Sequence, residues 1–87
     1  MANIKQQKKR VKTNEKRRLI NRSFKSSVRT FIKKFKKSVA YSDKDKAISF
    51  LNIINKKLDK GRSKRIYHIN FVSRNKSNLA KLLNSIN

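Results

Sequence analysis

The chain has 87 residues, of which twenty-six are Lys or Arg and four are Asp or Glu, a net charge of +22. A small soluble domain does well with a net charge of magnitude about 2–8, so a polyanion must neutralise the excess. A domain of this length buries only about 60% of its unfolded surface, too little for a core and an enclosed active site together, and the absence of Cys with a single His excludes disulfides, thiolate chemistry and Cys- or His-built metal clusters.

Proline is absent and glycine occurs once, where average usage would supply about four and six. Long helices with few connections follow. The first is predicted over about Asn3–Ala40, where Ile20, Phe24, Val28, Phe31, Phe35 and Val39 recur every three or four positions and form one packing face. Arg18, Arg22, Lys25, Arg29, Lys33 and Lys36 collect roughly opposite. Before residue 19 the pattern changes, because Lys8, Lys9, Arg10, Lys12, Lys16, Arg17 and Arg18 surround the helix and only Ile4 and Val11 are apolar. A helix of this span is about 57 Å long, more than the remaining chain can cover. The sequence therefore divides into a basic extension, 1–18, which projects, frays when free and is ordered by its partner, and a bundle, 19–87.

A break is expected at Tyr41-Ser42, with Ser42 and Asp45 as a capping box and Asp43 and Asp45 placed against the positive end of the next helix. That second helix carries Ala47, Ile48, Leu51, Ile54 and Leu58 on one face. It is predicted to stop near Lys60 with Gly61 as a left-handed cap, and Asp59 is expected to pair with a nearby Lys. After 61–64, Ile69, Val72, Leu79, Leu82, Leu83 and Ile86 form a third buried stripe, with Asn70, Ser73, Arg74, Ser77 and Lys81 turned away. Phe71 is assigned to packing at the stripe's edge. The fold class is all-α, an antiparallel three-helix bundle with a long first helix whose N-terminal half projects beyond it.

Fifteen basic residues and one acid over 1–40 leave +14, six and three over 41–62 leave +3, and five and none over 63–87 leave +5. The first helix is thus the main binding element, and nucleic acid is the favoured polyanion. RNA is preferred because a helix basic on all sides suits a crevice walled by phosphates, and because a DNA-reading basic region would need a heptad zipper. His68 divides between a nucleic-acid contact and a helix-end role, and Tyr41 and Tyr67 between base stacking and packing. Acid–base pairs, nucleophile–base pairs and Gly-rich phosphate loops are absent, so neither catalysis nor a cofactor or metal is expected. No apolar run approaches the roughly 18 residues of a membrane span, and the start lacks the apolar core of a secretory signal, which reads as a mature cytosolic chain.

Specific residues carry a resemblance. Met1-Ala2-Asn3-Ile4-Lys5, Lys8-Lys9-Arg10, Asn14-Glu15-Lys16-Arg17-Arg18, Ser23, Lys25-Ser26, Arg29-Thr30 and Ile32-Lys33-Lys34, followed by His68, Asn70, Arg74, Lys76-Ser77 and Leu79, resemble the bacterial small-subunit ribosomal protein S-twenty family. Ile69, Phe71 and Ser73 depart from its pattern. The resemblance implies a three-helix bundle that binds small-subunit ribosomal RNA directly, early in assembly, among other small-subunit components. Candidate RNA contacts are Lys5, Lys8, Lys9, Arg10, Lys12, Asn14, Lys16, Arg17, Arg18, Arg22, Ser23, Lys25, Ser26, Arg29 and Lys33 on the first helix, with His68, Asn70, Arg74, Lys76 and Ser77 near the third. Arg18, Arg22 and Arg29 can fork onto phosphates, while Asn14, Ser23 and Ser26 add neutral hydrogen bonds. No membrane, small-molecule substrate or homo-oligomer is expected. The alternatives are a nucleoid-type DNA-binding protein or general RNA chaperone, and a membrane-active helix, which is disfavoured because 5–18 lacks an apolar face.

Overall fold

The computed structural model describes the backbone of residues 4–86 and the side chains of residues 12–86. Three helices account for nearly all of it: α1, Ile4–Ala40; α2, Lys44–Ser63; and α3, Ile69–Asn84. At 1.5 Å per residue α1 runs about 55 Å, against about 30 Å for α2 and 24 Å for α3. The mismatch makes the molecule elongated, 65 × 21 × 14 Å, with a radius of gyration of 17.5 Å. A compact chain of this length would have about 12 Å.

The core forms where all three helices overlap. Val28 and Phe35 from α1 meet Ala47, Leu51, Ile54 and Leu58 from α2, and Val72, Leu79 and Ile86 close the other side. Beside it Phe31 and Phe50 pack with centroids 6.3 Å apart, and Lys34 and Lys57 lie 5.1 and 5.2 Å from the Phe31 ring. Their methylene stems cover apolar surface while the ammonium groups engage the ring face. α2 packs against both other helices, whereas α1 and α3 touch little. The α3 stripe is accordingly narrower than its periodicity suggests: Val72 and Leu79 are buried, but Ile69 and Leu82 on its flanks are exposed. Ile48 on α2 is exposed for the same reason, and Ile20, 53% exposed, lies beyond the reach of α2 and α3. Tertiary packing on α1 begins at Phe24.

The connections differ from the expected capping. At the end of α1 the Ser42 amide donates to the Val39 carbonyl (2.9 Å) and the Asp43 amide to that of Ser38 (2.9 Å), with Ser42 at φ 55°. This is a Schellman motif, with Ser42 where glycine is usual. A residue in that conformation does not serve as N-cap of the next helix, since an N-cap has non-helical backbone, typically in the β region and not left-handed. Asp43 takes the role instead, its carboxylate accepting from the Lys46 amide at 3.3 Å.

The same motif closes α2. Arg65 donates to Arg62 (3.0 Å) and Ile66 to Gly61 (2.8 Å), and Arg65, not Gly61, takes the left-handed φ of 60°. Gly61 is buried within the helix, and a Cβ there would collide with the Tyr67 ring and come within 3.0 Å of Phe24 Cε1. The lone glycine provides room for an aromatic ring, while two ordinary residues bear the turn strain. Two substitutions should therefore act in opposite directions. Gly61→Ala should destabilise by about 1–2 kcal/mol, overpacking outweighing the gain in helix propensity, whereas Ser42→Gly should stabilise by about 0.5–1 kcal/mol by relieving the left-handed turn. Thermal unfolding of both variants checks this, and equal signs would contradict it.

Candidate nucleic-acid interface

On α1 the described side chains from Lys12 to Ser23 are all exposed. Along α1 the 100° step per residue brings Asn14, Arg18 and Arg22 of that stretch, and Lys25 and Arg29 beyond it, within about 80° of one another. With Arg17 and Asn21 they line a shallow depression along one side of the helix. Asn21 is the member that sequence reasoning misses, although its three- and four-residue spacing from Arg18 and Lys25 places it in this row. Lys12, Lys16, Ser23 and Ser26 project on the other side, and Lys33 continues the exposed face beside the bundle. The side chains of Lys5, Lys8, Lys9 and Arg10 lie outside the described residues.

The row of cations runs into a groove. Lys25 and Arg29 belong both to the α1 depression and to a cleft of about 370 Å³ between α1 and the start of α3, whose other walls are Val28, Ile32, Ile66, Tyr67, His68 and Phe71. Tyr67 packs against Phe24 with centroids 6.0 Å apart and stacks on Phe71 at 4.6 Å and 20°. Burial pushes the Tyr67 hydroxyl above its ordinary pKa of 10.0, and the Arg29 guanidinium pulls it partly back. Tyr67 is thus a neutral packing element in which the phenol keeps its proton at physiological pH. Phe71 packs at the edge of the α3 stripe, as expected, but against Tyr67 and with 42% of its surface exposed, so that its ring extends the Tyr67 stack outward. Tyr41, 75% exposed, does not act as a packing lid.

His68 caps α3. Its Nδ1 accepts from the Asn70 amide at 3.1 Å, so the neutral ring carries its proton on Nε2, which is left to donate outward. The remaining candidates divide. Asn70, Arg74 and Ser77 are exposed and share the outer face of α3, away from the α1 row. Lys76 bonds instead to Asp59 of α2 at 2.5 Å, the ion pair expected for that acid but made across helices. Being exposed, the pair adds at most about 1 kcal/mol. The structure thus brings together the α1 row, His68 and the Tyr67–Phe71 stack, and leaves the outer α3 face as a separate patch.

These features define a class: a small all-helical protein whose chemistry is a cationic surface, with no group of three His, Cys, Asp or Glu placed to hold a metal among the described residues. None of its described helices is long and apolar enough to cross a membrane. The family model for ribosomal protein S20 matches residues 2–84, and the chain belongs to that family. The small ribosomal subunit protein bS20 of Aster yellows witches'-broom phytoplasma is 64% identical over 86 residues, 99% of this chain and 100% of its own length. Those of Acholeplasma laidlawii and Mycolicibacterium smegmatis are 57% and 51% identical over 86 residues, again 99% of this chain and 100% of theirs. The family is one of structural ribosomal proteins, cytoplasmic in bacteria and not enzymes.

Proposed function

We propose that the chain binds small-subunit ribosomal RNA directly and stabilises its folding during assembly, with the extension of α1 inserted between RNA segments and the bundle anchoring it. The observation that carries this reading is the length of α1 over which every described side chain is exposed and cations occupy all sides. Such an element lacks protein packing of its own, and only a partner that presents phosphates around it can use the whole circumference. Lys and Arg displace condensed counterions where RNA strands converge, and the guanidinium groups of Arg18, Arg22 and Arg29 fork onto phosphate oxygens. Lys5, Lys8, Lys9 and Arg10 extend the same role toward the N-terminus, and Asn70, Arg74 and Ser77 offer a second binding patch. Shape, more than base edges, sets the specificity.

Filter binding of the full chain to folded small-subunit RNA and to an unrelated DNA duplex of equal length tests the reading. With six to ten phosphates engaged, RNA affinity should fall by about a thousandfold or more between 50 and 200 mM salt. At the higher salt the RNA should still be preferred at least tenfold. Equal affinity for the two would overturn the assignment and favour a general nucleic-acid compactor.

A further inference from the structure

Phosphate binding alone does not explain the groove at the end of the cationic row. Its walls combine two cations, Lys25 and Arg29, one ring N–H donor, His68 Nε2, and one half-exposed aromatic ring, Phe71, held rigid by the stack on Tyr67. No carboxylate lines it. The volume, about 370 Å³, lies within the roughly 300–1,000 Å³ of small-ligand clefts. Because Lys25 and Arg29 also belong to the α1 row, a strand whose phosphates follow that row reaches the groove.

An aromatic face beside phosphate-binding donors is the equipment of a single-strand site, where a base stacks on a ring and its backbone is held by cations. We propose that this groove takes one unpaired nucleotide, its base laid on Phe71 and its phosphate held by Lys25, Arg29 and the His68 Nε2–H. The proposal rests on the RNA-binding reading above and deepens it: the α1 row recognises backbone, whereas this groove distinguishes an unpaired nucleotide from a paired one. Tyr67 acts through Phe71, fixing the ring, and Gly61 in turn leaves the space that Tyr67 occupies.

The test uses the full chain, with Phe71→Leu to remove the ring, Phe71→Tyr to keep it, and circular dichroism to match helix content. Two probes are used: folded small-subunit RNA, and a short single-stranded RNA with a central 2-aminopurine whose fluorescence is quenched by stacking. Phe71→Leu should weaken binding to the folded RNA by about ten- to a hundredfold, at an unchanged salt slope, and abolish the quenching at saturating protein. Phe71→Tyr should restore both. Quenching that persists in Phe71→Leu, a salt slope that falls with affinity, or equal affinities of Phe71→Leu and wild type would each overturn the stacking site. Absence of quenching in the wild type would overturn the stacking site as well. Failure of the wild type to prefer folded small-subunit RNA over duplex DNA would overturn the RNA reading itself, a separate result from a different measurement.

Discussion

Removing residues 1–18 should reduce affinity for folded small-subunit RNA by about a hundredfold or more at 200 mM salt, with little change in the stability of the bundle. The segment holds eight of the twenty-six basic residues and one of the four acids, so the net charge falls from +22 to +15. Each phosphate that is no longer neutralised lowers the slope of log affinity against log salt by about 0.9, and if half of the eight cations bind phosphate the slope falls by about 4. Stability should be nearly untouched because the described part of the segment is exposed and core packing starts at Phe24. A companion variant with the eight cations changed to Gln keeps the helix length and separates charge from bulk. Salt-dependent binding and thermal unfolding of both variants are the measurements. Truncation with unchanged affinity would sink the role assigned to the extension, and a large drop in melting temperature would show that it supports the bundle.

That the two properties separate so cleanly is legible in the chain. The three-to-four spacing from Ile20 to Val39 sets the register of α1, and its disappearance before residue 19 marks a part of the helix with no packing face, because burial requires a one-sided apolar stripe. What the spacing does not report is how far the neighbouring helices reach. Ile20 continues the stripe of α1 and Ile69 and Leu82 flank that of α3, yet all three are exposed, since periodicity describes one helix whereas burial depends on two. The helix ends mislead for a related reason. Gly61 has the composition of a cap, but tertiary crowding by Tyr67 and Phe24 claims it, and the left-handed positions fall to Ser42 and Arg65. Local propensity is overridden by packing between residues distant in sequence.

The candidate interface divides along the same line. The cations of α1 are readable one by one, because charge over so exposed a helix needs no tertiary knowledge. The groove is not, since it arises only when the residues after α2 bring Tyr67, His68 and Phe71 beside Lys25 and Arg29. For His68 the sequence allows two roles, and the structure gives it one of them, the cap, through Nδ1, while leaving Nε2 available for the other.

Phe35→Ala should produce the opposite signature to truncation: a large loss of stability and no change in salt slope. Phe35 is fully buried against a core that includes Ile54 and Leu58, also at 0% exposure, and Phe→Ala in such a setting costs about 3–5 kcal/mol. A domain of this length has about 4–13 kcal/mol in total, and because the described side chains of α1 ahead of Phe24 are all exposed, the lower part of that range applies. The melting temperature should fall by about 15–30 °C, or the cooperative transition should be lost. On the proposed RNA-binding role, RNA should still select the folded form, so apparent affinity should drop by the factor to which that form is depopulated. The phosphates touched once it has folded are the same, and the slope against salt is therefore kept. Thermal unfolding followed by binding at several salt concentrations resolves the two effects. A variant with normal stability would show that Phe35 is not the keystone of the core, and one with a shallower slope would show that the bundle itself neutralises a share of the phosphates assigned to the extension.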